Sequence, residues 1–221
     1  MEEIGRPFIP AAGRDWRLPF YDPFVKLIGA DAARRALIDR AAIRPGQRVL
    51  DLGCGTGSLA LAIARVRREV DVVGVDPDRR ALARATAKAA RAGASIRFDH
   101  GYADRLPYAE ATFDRVLSSF VYHHLRGEEK AAMFREVRRV LRPGGSVVFL
   151  DFAGPEAHAD HLIGQWLRSR PLLRDNAEDR ILSRMSGAGF EDPRRVGGGS
   201  VVFGLLTYSC FAAASPAEEA R

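Results

Sequence analysis

Cysteine is nearly absent from this chain, with only Cys54 and Cys210 in 221 residues. The two form no spaced pair, which excludes a disulfide framework and a cysteine-based metal site; burial in a reducing compartment accounts for both. Long hydrophobic runs are also missing. The longest, VVFGLLTYSCFAAA (201–214), is rich in strand formers and falls short of the roughly 20 residues that cross a bilayer. No basic stretch followed by an apolar one opens the chain, so a secretory signal is not expected and a cytoplasmic protein is. Lysine is scarce as well: the 34 basic residues divide into 31 Arg and 3 Lys. A net charge of +6 and a pI near 9.8 invite a nucleic-acid reading. However, the clusters RVRR (65–68), DRR (78–80) and DPRR (192–195) lie apart, and abundant Arg with abundant Ala fits GC-rich coding better than a binding stripe. No nucleic-acid partner is expected, and an anionic small substrate or a membrane surface suits the charge better.

What is present is a strand–helix alternation. Hydrophobic residues make up 47% of the chain, ample for a core. A helix over 31–43 leads to a strand over 48–53, then the helix TGSLALAIARV, a strand over 70–76 and a polar-faced helix over 77–93. Strands follow at 95–101 and 113–120, an amphipathic helix at 127–141 stopped by RPGG, and a fifth strand at 146–152. This pattern predicts a parallel sheet covered on both faces. After an irregular stretch at 153–175 comes a helix over 177–189, then two runs separated by glycines at 197–199. A short glycine turn there would make them an antiparallel hairpin. The expected organisation is one domain over 30–214, a lid segment over 1–29 broken by Pro7, Pro10, Gly13, Pro19 and Pro23, and a tail at 215–221.

The stretch VLDLGCGTGSLALAIA (49–64) places three glycines between a strand and a helix. One reading is a tight structural turn. The other is a cradle, in which glycine lets the backbone approach a ligand and the helix N-terminus offers its free amides. The spacing Gly53, Gly55, Gly57 is G-x-G-x-G, not the dinucleotide G-x-G-x-x-G. Asp51 lies two residues before the first glycine, and Asp76 ends the second strand. At that sheet position a carboxylate can accept from both hydroxyls of a ribose. Asp76 could instead cap the helix that starts near Pro77, although Asp78 is the better cap candidate.

Together VLDLGCGTG, GVD, LPY…FDRVLSSFVYHHL, REVRRVLRPGG and the closing hairpin resemble the class I S-adenosylmethionine-dependent methyltransferases. More narrowly they are similar to the ubiquinone/menaquinone C-methyltransferase group. The resemblance covers residues 40–152 and the hairpin. It implies a doubly wound, Rossmann-like α/β sheet of seven strands in the order 3-2-1-4-5-7-6, with strand 7 antiparallel. It further implies that Gly53, Cys54, Gly55 and Gly57 run beside the cofactor and that Asp51 organises the loop and reaches the amino end through water. Asp76 would hold the ribose, Pro77 would lie against the adenine, the Tyr102 and Ala103 backbones would meet the adenine edge, and Ser118 would face the methionyl amine. The chain departs from the family at Tyr102, where relatives often carry an acid, and Asp104 is near enough to substitute.

Methyl transfer from a sulfonium asks the protein mainly to position reactants and exclude water. Tyr122, His123 and His124 in FVYHHL either cap the cofactor, with one histidine buried, or supply a proton acceptor. His124 is expected to matter more for turnover than His123. Tyr21 in PFYDPF either serves the acceptor or packs with Phe20, Phe24 and Trp16. HADH (158–161) with Glu156 completes no metal set, so no metal is expected; the stretch around Trp166 would line the acceptor pocket. The acceptor is expected to be small: a phenol, quinol, amine, lipid head group or secondary metabolite. A homodimer stays open. Rival readings are a catalytically silent module that binds the cofactor for a partner enzyme, and a nicotinamide-dependent oxidoreductase, which the glycine spacing opposes.

Overall fold

Strands buried on both faces need apolar residues at successive positions, because neighbouring side chains point to opposite sides. VLDL and DVVGV meet that need, and the computed structural model places both in interior strands of a seven-stranded sheet. It describes residues 30–67, 69–154, 175–202 and 206–217. In chain order these form α1 (Ala30–Arg40), β1 (Arg48–Leu52), α2 (Ser58–Val66), β2 (Asp71–Asp76), α3 (Arg79–Arg91), β3 (Arg97–His100) and β4 (Phe113–Ser119). A short 3-10 turn (Tyr122–His124), α4 (Glu128–Val140), β5 (Leu141–Phe152), α5 (Glu178–Gly187), β6 (Glu191–Val201) and β7 (Leu206–Ala214) follow. The sheet order is β3-β2-β1-β4-β5-β7-β6. The first five strands are parallel, and β7 pairs antiparallel with both β5 and β6. Fold class and strand order are those the resemblance implied.

Alternate strand residues divide between two cores. Leu50, Leu52, Val147, Phe149 and Phe211 pack under α4 and α5 with Met133, Phe134, Val137, Ile181 and Met185. Val49, Leu117, Val148, Leu150 and Cys210 pack under α1 and α2 with Leu37, Ile38, Leu59 and Ile63. The parallel order sends the carboxyl ends of β1, β2 and β4 to one edge, where the loops carry the site.

Three expectations on boundaries change. RPGG does not precede β5 but lies inside it: Leu141 already pairs with Phe113, and the register shifts before Ser146 meets Arg115. α1 ends at Arg40, three residues early, where Ala42 takes a positive φ of 46°. The glycines at 197–199 are not the hairpin turn. They pair with Cys210, Ser209 and Tyr208, and the ladder runs on to Val201 opposite Leu206. Their use is close approach, since a Cβ on Gly198 would sit 2.6 Å from the Tyr208 carbonyl oxygen. The expected lid (1–29) with Tyr21, and the HADH stretch with Trp166, lie outside the described residues. Among the described residues no helix is long and apolar enough to cross a membrane, and no cluster of three or more His, Cys, Asp or Glu could hold a metal ion.

Candidate functional site

A cleft of about 340 Å³ opens at the carboxyl ends of β1, β2 and β4. Its floor is the glycine loop. Gly53 and Cys54 both donate their amides to the Val75 carbonyl, at 2.9 and 3.0 Å, which bends the chain sharply off β1. Gly53 takes a φ of +70°, and a Cβ there would lie 2.3 Å from Val121 Cγ2 across the cleft. Any side chain at this position therefore meets both backbone strain and a steric block.

The loop ends at Gly57, which starts α2 with no side chain to cap it. Asp51 supplies that cap from β1: its Oδ2 accepts from the Ala60 amide at 2.9 Å, in the first turn of α2. Burial is nearly complete and pushes the Asp51 carboxyl up to about 7, against the opposing pull of that amide and of Arg34. Asp51 therefore sits beneath the loop and does not line the cleft.

Asp76 is at the rim. Its Oδ2 accepts from the Gly55 amide at 2.8 Å and its Oδ1 from the Asp78 amide at 2.8 Å. Each carboxylate oxygen has a second lone pair, and the residue lines the cleft. Burial raises this carboxyl to about 6, with the two amides pulling the other way. Asp78 is the helix cap, accepting from the Arg80 and Ala81 amides, so the competing role for Asp76 falls to its neighbour.

Cys54, Gly55, Pro77, Tyr102 and Ala103 line the cleft with Gly53 and Asp76. Asp104 lies at the Tyr102 end, where the Tyr102 ring meets His100 edge-on at 5.8 Å. Gly57 and Ser118 stand back from it. Gly57 is pressed against α3 and β3, where a Cβ would lie 2.9 Å from Ala85 Cβ. Ser118 is buried and donates its hydroxyl to the Leu52 carbonyl at 2.9 Å, so the residue facing the cleft there is Ser119.

The opposite wall turns on Phe120, an aromatic residue at a φ of +58°. Such a conformation is costly and persists only when its surroundings impose it. Here the Phe120 amide donates to Leu150 and the ring packs on Phe152 at 4.9 Å. The bend throws Val121–His124 across the cleft. His124 lines the cleft, and its buried Nδ1 has no hydrogen-bond partner among the described residues. Burial, with the His123 ring 4.0 Å away, lowers its imidazole to about 4, so it is neutral at pH 7. His123 is placed otherwise: its Nδ1 is 2.8 Å from Asp151 Oδ1, at the end of β5. Tyr122 is core, its hydroxyl accepting from Arg184 at 2.8 Å, and burial pushes it up to about 12.

Behind the histidines runs a buried polar chain that sequence reasoning missed. Asn176 donates to Asp151 at 3.2 Å, and Lys130, 1% exposed on α4, donates to Asn176 at 3.3 Å. Burial of Asp151 would raise its carboxyl, yet His123 at hydrogen-bond distance holds it below the usual range. Lys130 is lowered by burial despite the nearby Asp175. Two signals were available. Asp151 in VFLDF repeats the acid-in-an-apolar-strand pattern of Asp51, and Lys130 falls on the helix face of Met133, Phe134 and Val137.

With this geometry in hand, comparison with known proteins is specific. Residues 49–145 match a methyltransferase-domain family. The chain is 38% identical over 148 residues to a demethylmenaquinone methyltransferase of Thermus thermophilus, covering 66% of each chain. It is 35% identical over 144 residues to the 27-O-demethylrifamycin SV methyltransferase of Amycolatopsis mediterranei, covering 60% of this chain and 52% of that one. The match thus spans about half to two thirds of the length of these relatives. In fold, the chain is similar to Haemonchus contortus phosphoethanolamine N-methyltransferase 2 (TM-score 0.79, 17% identity, 93% of this chain and 58% of that one). It is also similar to the 4+2 cyclase SpnF (TM-score 0.69, 23% identity, 85% and 81%). The matching domain, the sheet order and the glycine loop agree: the chain belongs to the class I S-adenosylmethionine-dependent methyltransferases.

Proposed function

We propose that this protein transfers a methyl group from S-adenosylmethionine to a small-molecule acceptor. The observation that carries the reading is Asp76, locked by two backbone amides at the rim of a glycine-floored cleft with a lone pair left on each oxygen. That is the pair of acceptors the hydroxyls of a ribose diol need. The side-chain-free floor at Gly55, where a Cβ would meet nothing within 4 Å, leaves room for the cofactor's backbone-hugging middle. Pro77 and Ala103 would bracket the adenine. Asp104 would accept from its amino group in place of the acid that Tyr102 lacks. Ser119 would take the position toward the methionyl amine that the family pattern gave to Ser118.

Bound, the cofactor supplies a sulfonium whose methyl group is open to in-line displacement. The chain's part is to hold the acceptor in line and keep water out. Val121, Leu125 and the Phe120 bend close the acceptor side with apolar surface. His124, neutral and with a buried nitrogen that has no partner among the described residues, would hydrogen-bond an acceptor hydroxyl and take its proton as it is alkylated. His123, fixed by Asp151, would hold the His124 ring in place through their 4.0 Å contact. Two free buried thiols suit a reducing, cytoplasmic setting.

Relatives named for menaquinone, rifamycin and phosphoethanolamine methylation guide the choice of acceptors. The alternative is a module that binds the cofactor without transferring its methyl group; a protein of similar fold, SpnF, is named as a cyclase and not as a methyltransferase. Incubating the protein with methyl-labelled S-adenosylmethionine and a panel of quinols, phenols, amines and lipids tests the reading. Label in an organic product supports it. Tight cofactor binding with no product across the panel favours the silent module.

A further inference from the structure

Lys130 shares its face of α4 with the core residues Met133, Phe134 and Val137, and only 1% of it is exposed. A buried ammonium is costly unless it is paired. Its contacts among the described residues are few. The ammonium stands over the Tyr122 ring at 4.6 Å, and Asp175 Oδ2 is 3.8 Å away, beyond hydrogen-bond reach. Asp175 is partly exposed and is shared with Arg180 at 3.0 Å and Arg184 at 3.6 Å, both on α5. The hydrogen bond that Lys130 does make goes to Asn176 Oδ1, at 3.3 Å.

Asn176 is equally buried, and its two ends are committed in opposite senses. Its Nδ2 donates to Asp151 Oδ1 at 3.2 Å and to the Phe152 carbonyl at 2.8 Å, while its Oδ1 faces the ammonium. Turning the amide over would set oxygen against carboxylate and NH2 against ammonium, so the order cation, amide, anion is fixed. Asp151 therefore has two routes to a balancing charge: a proton on His123, 2.8 Å away, or Lys130 through the amide. Asp151 is in turn among the charges that hold a proton on Lys130 against burial. The remaining charges on that side, Asp175, Arg180 and Arg184, pair with one another. The choice of route matters for His124, whose ring is 4.0 Å from that of His123. An imidazolium at His123 would repel a proton arriving at His124. We propose that Lys130 is a positioning residue for methyl transfer: its charge, passed to Asp151 by Asn176, leaves His123 neutral, so that His124 can take the acceptor's proton. This rests on the methyl-transfer reading above.

The competing explanation is structural: Lys130 merely ties α4 to the start of α5. Imidazole NMR of the full chain separates the two. The chain has five histidines, and His123→Gln identifies the signal. Lys130→Gln keeps a donor at this position and removes the charge. Its His123 ring should take up a proton at a pH about one unit higher than in wild type, the effect of losing a nearby charge in a partly polar interior. On a phenol or quinol the acid-side fall of kcat should move up by the same amount, with S-adenosylhomocysteine affinity within about threefold. Lys130→Arg, which keeps the charge, should return both toward wild type. A folded Lys130→Gln protein whose His123 signal titrates as in wild type would make Lys130 structural and overturn the role. So would a wild-type His123 already protonated at pH 7, a result that needs no variant to fold. Protein that binds S-adenosylhomocysteine but methylates nothing in the acceptor panel would instead overturn the methyl-transfer reading, and this role with it.

Discussion

The glycine-loop end of the cleft and the histidine end are held by different bonds. At the first, every donor is a backbone amide: the Val75 carbonyl takes two, the Asp76 carboxylate takes two more, and the Asp51 carboxylate takes one from α2. At the second, side chains from four separate segments form one line, from Lys130 through Asn176 and Asp151 to His123, whose ring meets that of His124 at a tilt. Backbone amides tied to one carbonyl and two carboxylates give a rigid cradle, as a shared cofactor requires. Side-chain anchoring can be altered one residue at a time, as a changing acceptor requires. The two ends should therefore fail separately.

The largest effect is expected where they touch. Gly53→Val would place a side chain against Val121, on the opposite wall, and force a branched residue to a φ of +70°. Cofactor binding measured by calorimetry should fall by at least about 100-fold, with a lower melting temperature. Retained affinity would mean that the loop and the facing wall are not in contact.

Next, His124→Gln should break the histidine end alone. Turnover on a phenol or quinol should drop about 100-fold, the lower part of the range for a general base, because an imidazole at about 4 is only weakly basic. S-adenosylhomocysteine affinity should stay within about threefold. The wild-type rate should also show no loss near pH 6.5, since His124 stays neutral until the pH approaches 4. Asp151→Asn should lower turnover less and act through His123, so that His123→Gln and the double variant fall no further than either alone.

Asp76→Ala breaks the cradle end alone. Cofactor affinity should weaken by about 1.5–3 kcal/mol, as for hydrogen bonds to a charged group. Saturating cofactor should restore much of the turnover.

The smallest effect is pH-dependent. With Asp76 raised to about 6 in the free protein, protons compete with the ribose as pH falls through 6, and affinity should decline toward tenfold per unit below it. In Asp76→Asn that part of the slope should vanish. The same shifts have a stability consequence. Asp51 and Asp76 bind protons more tightly folded than unfolded, so their contribution to stability is lost as pH rises from about 4 to about 7. Lowered His124 acts in the opposite sense, its contribution falling away as pH drops from 6.5 toward 4.

The contrast between the ends also explains what the sequence could tell. The cradle is local: strand, glycines and cap lie within 49–64, and Asp76 and Asp78 sit at the next strand's end, so spacing and capping rules reach them. The histidine line is not local. His123 and Asp151 are 28 residues apart, and only the parallel pairing of β4 with β5 brings them together. Arg34 and Lys130 were hidden because a charged residue on a helix is ordinarily taken to face water, although their positions follow the buried face. At 197–199 the glycines signalled a tight feature correctly, but the need was close strand approach to Tyr208 and not a turn.

Titration of the wild-type protein with S-adenosylhomocysteine and, separately, with NADH tests the central claim most directly, because it addresses the cradle without needing the acceptor. The account predicts one site per chain with a dissociation constant in the micromolar class, about −8 kcal/mol, for the first ligand and no measurable heat for the second. Binding of NADH, or no binding of S-adenosylhomocysteine, would contradict it.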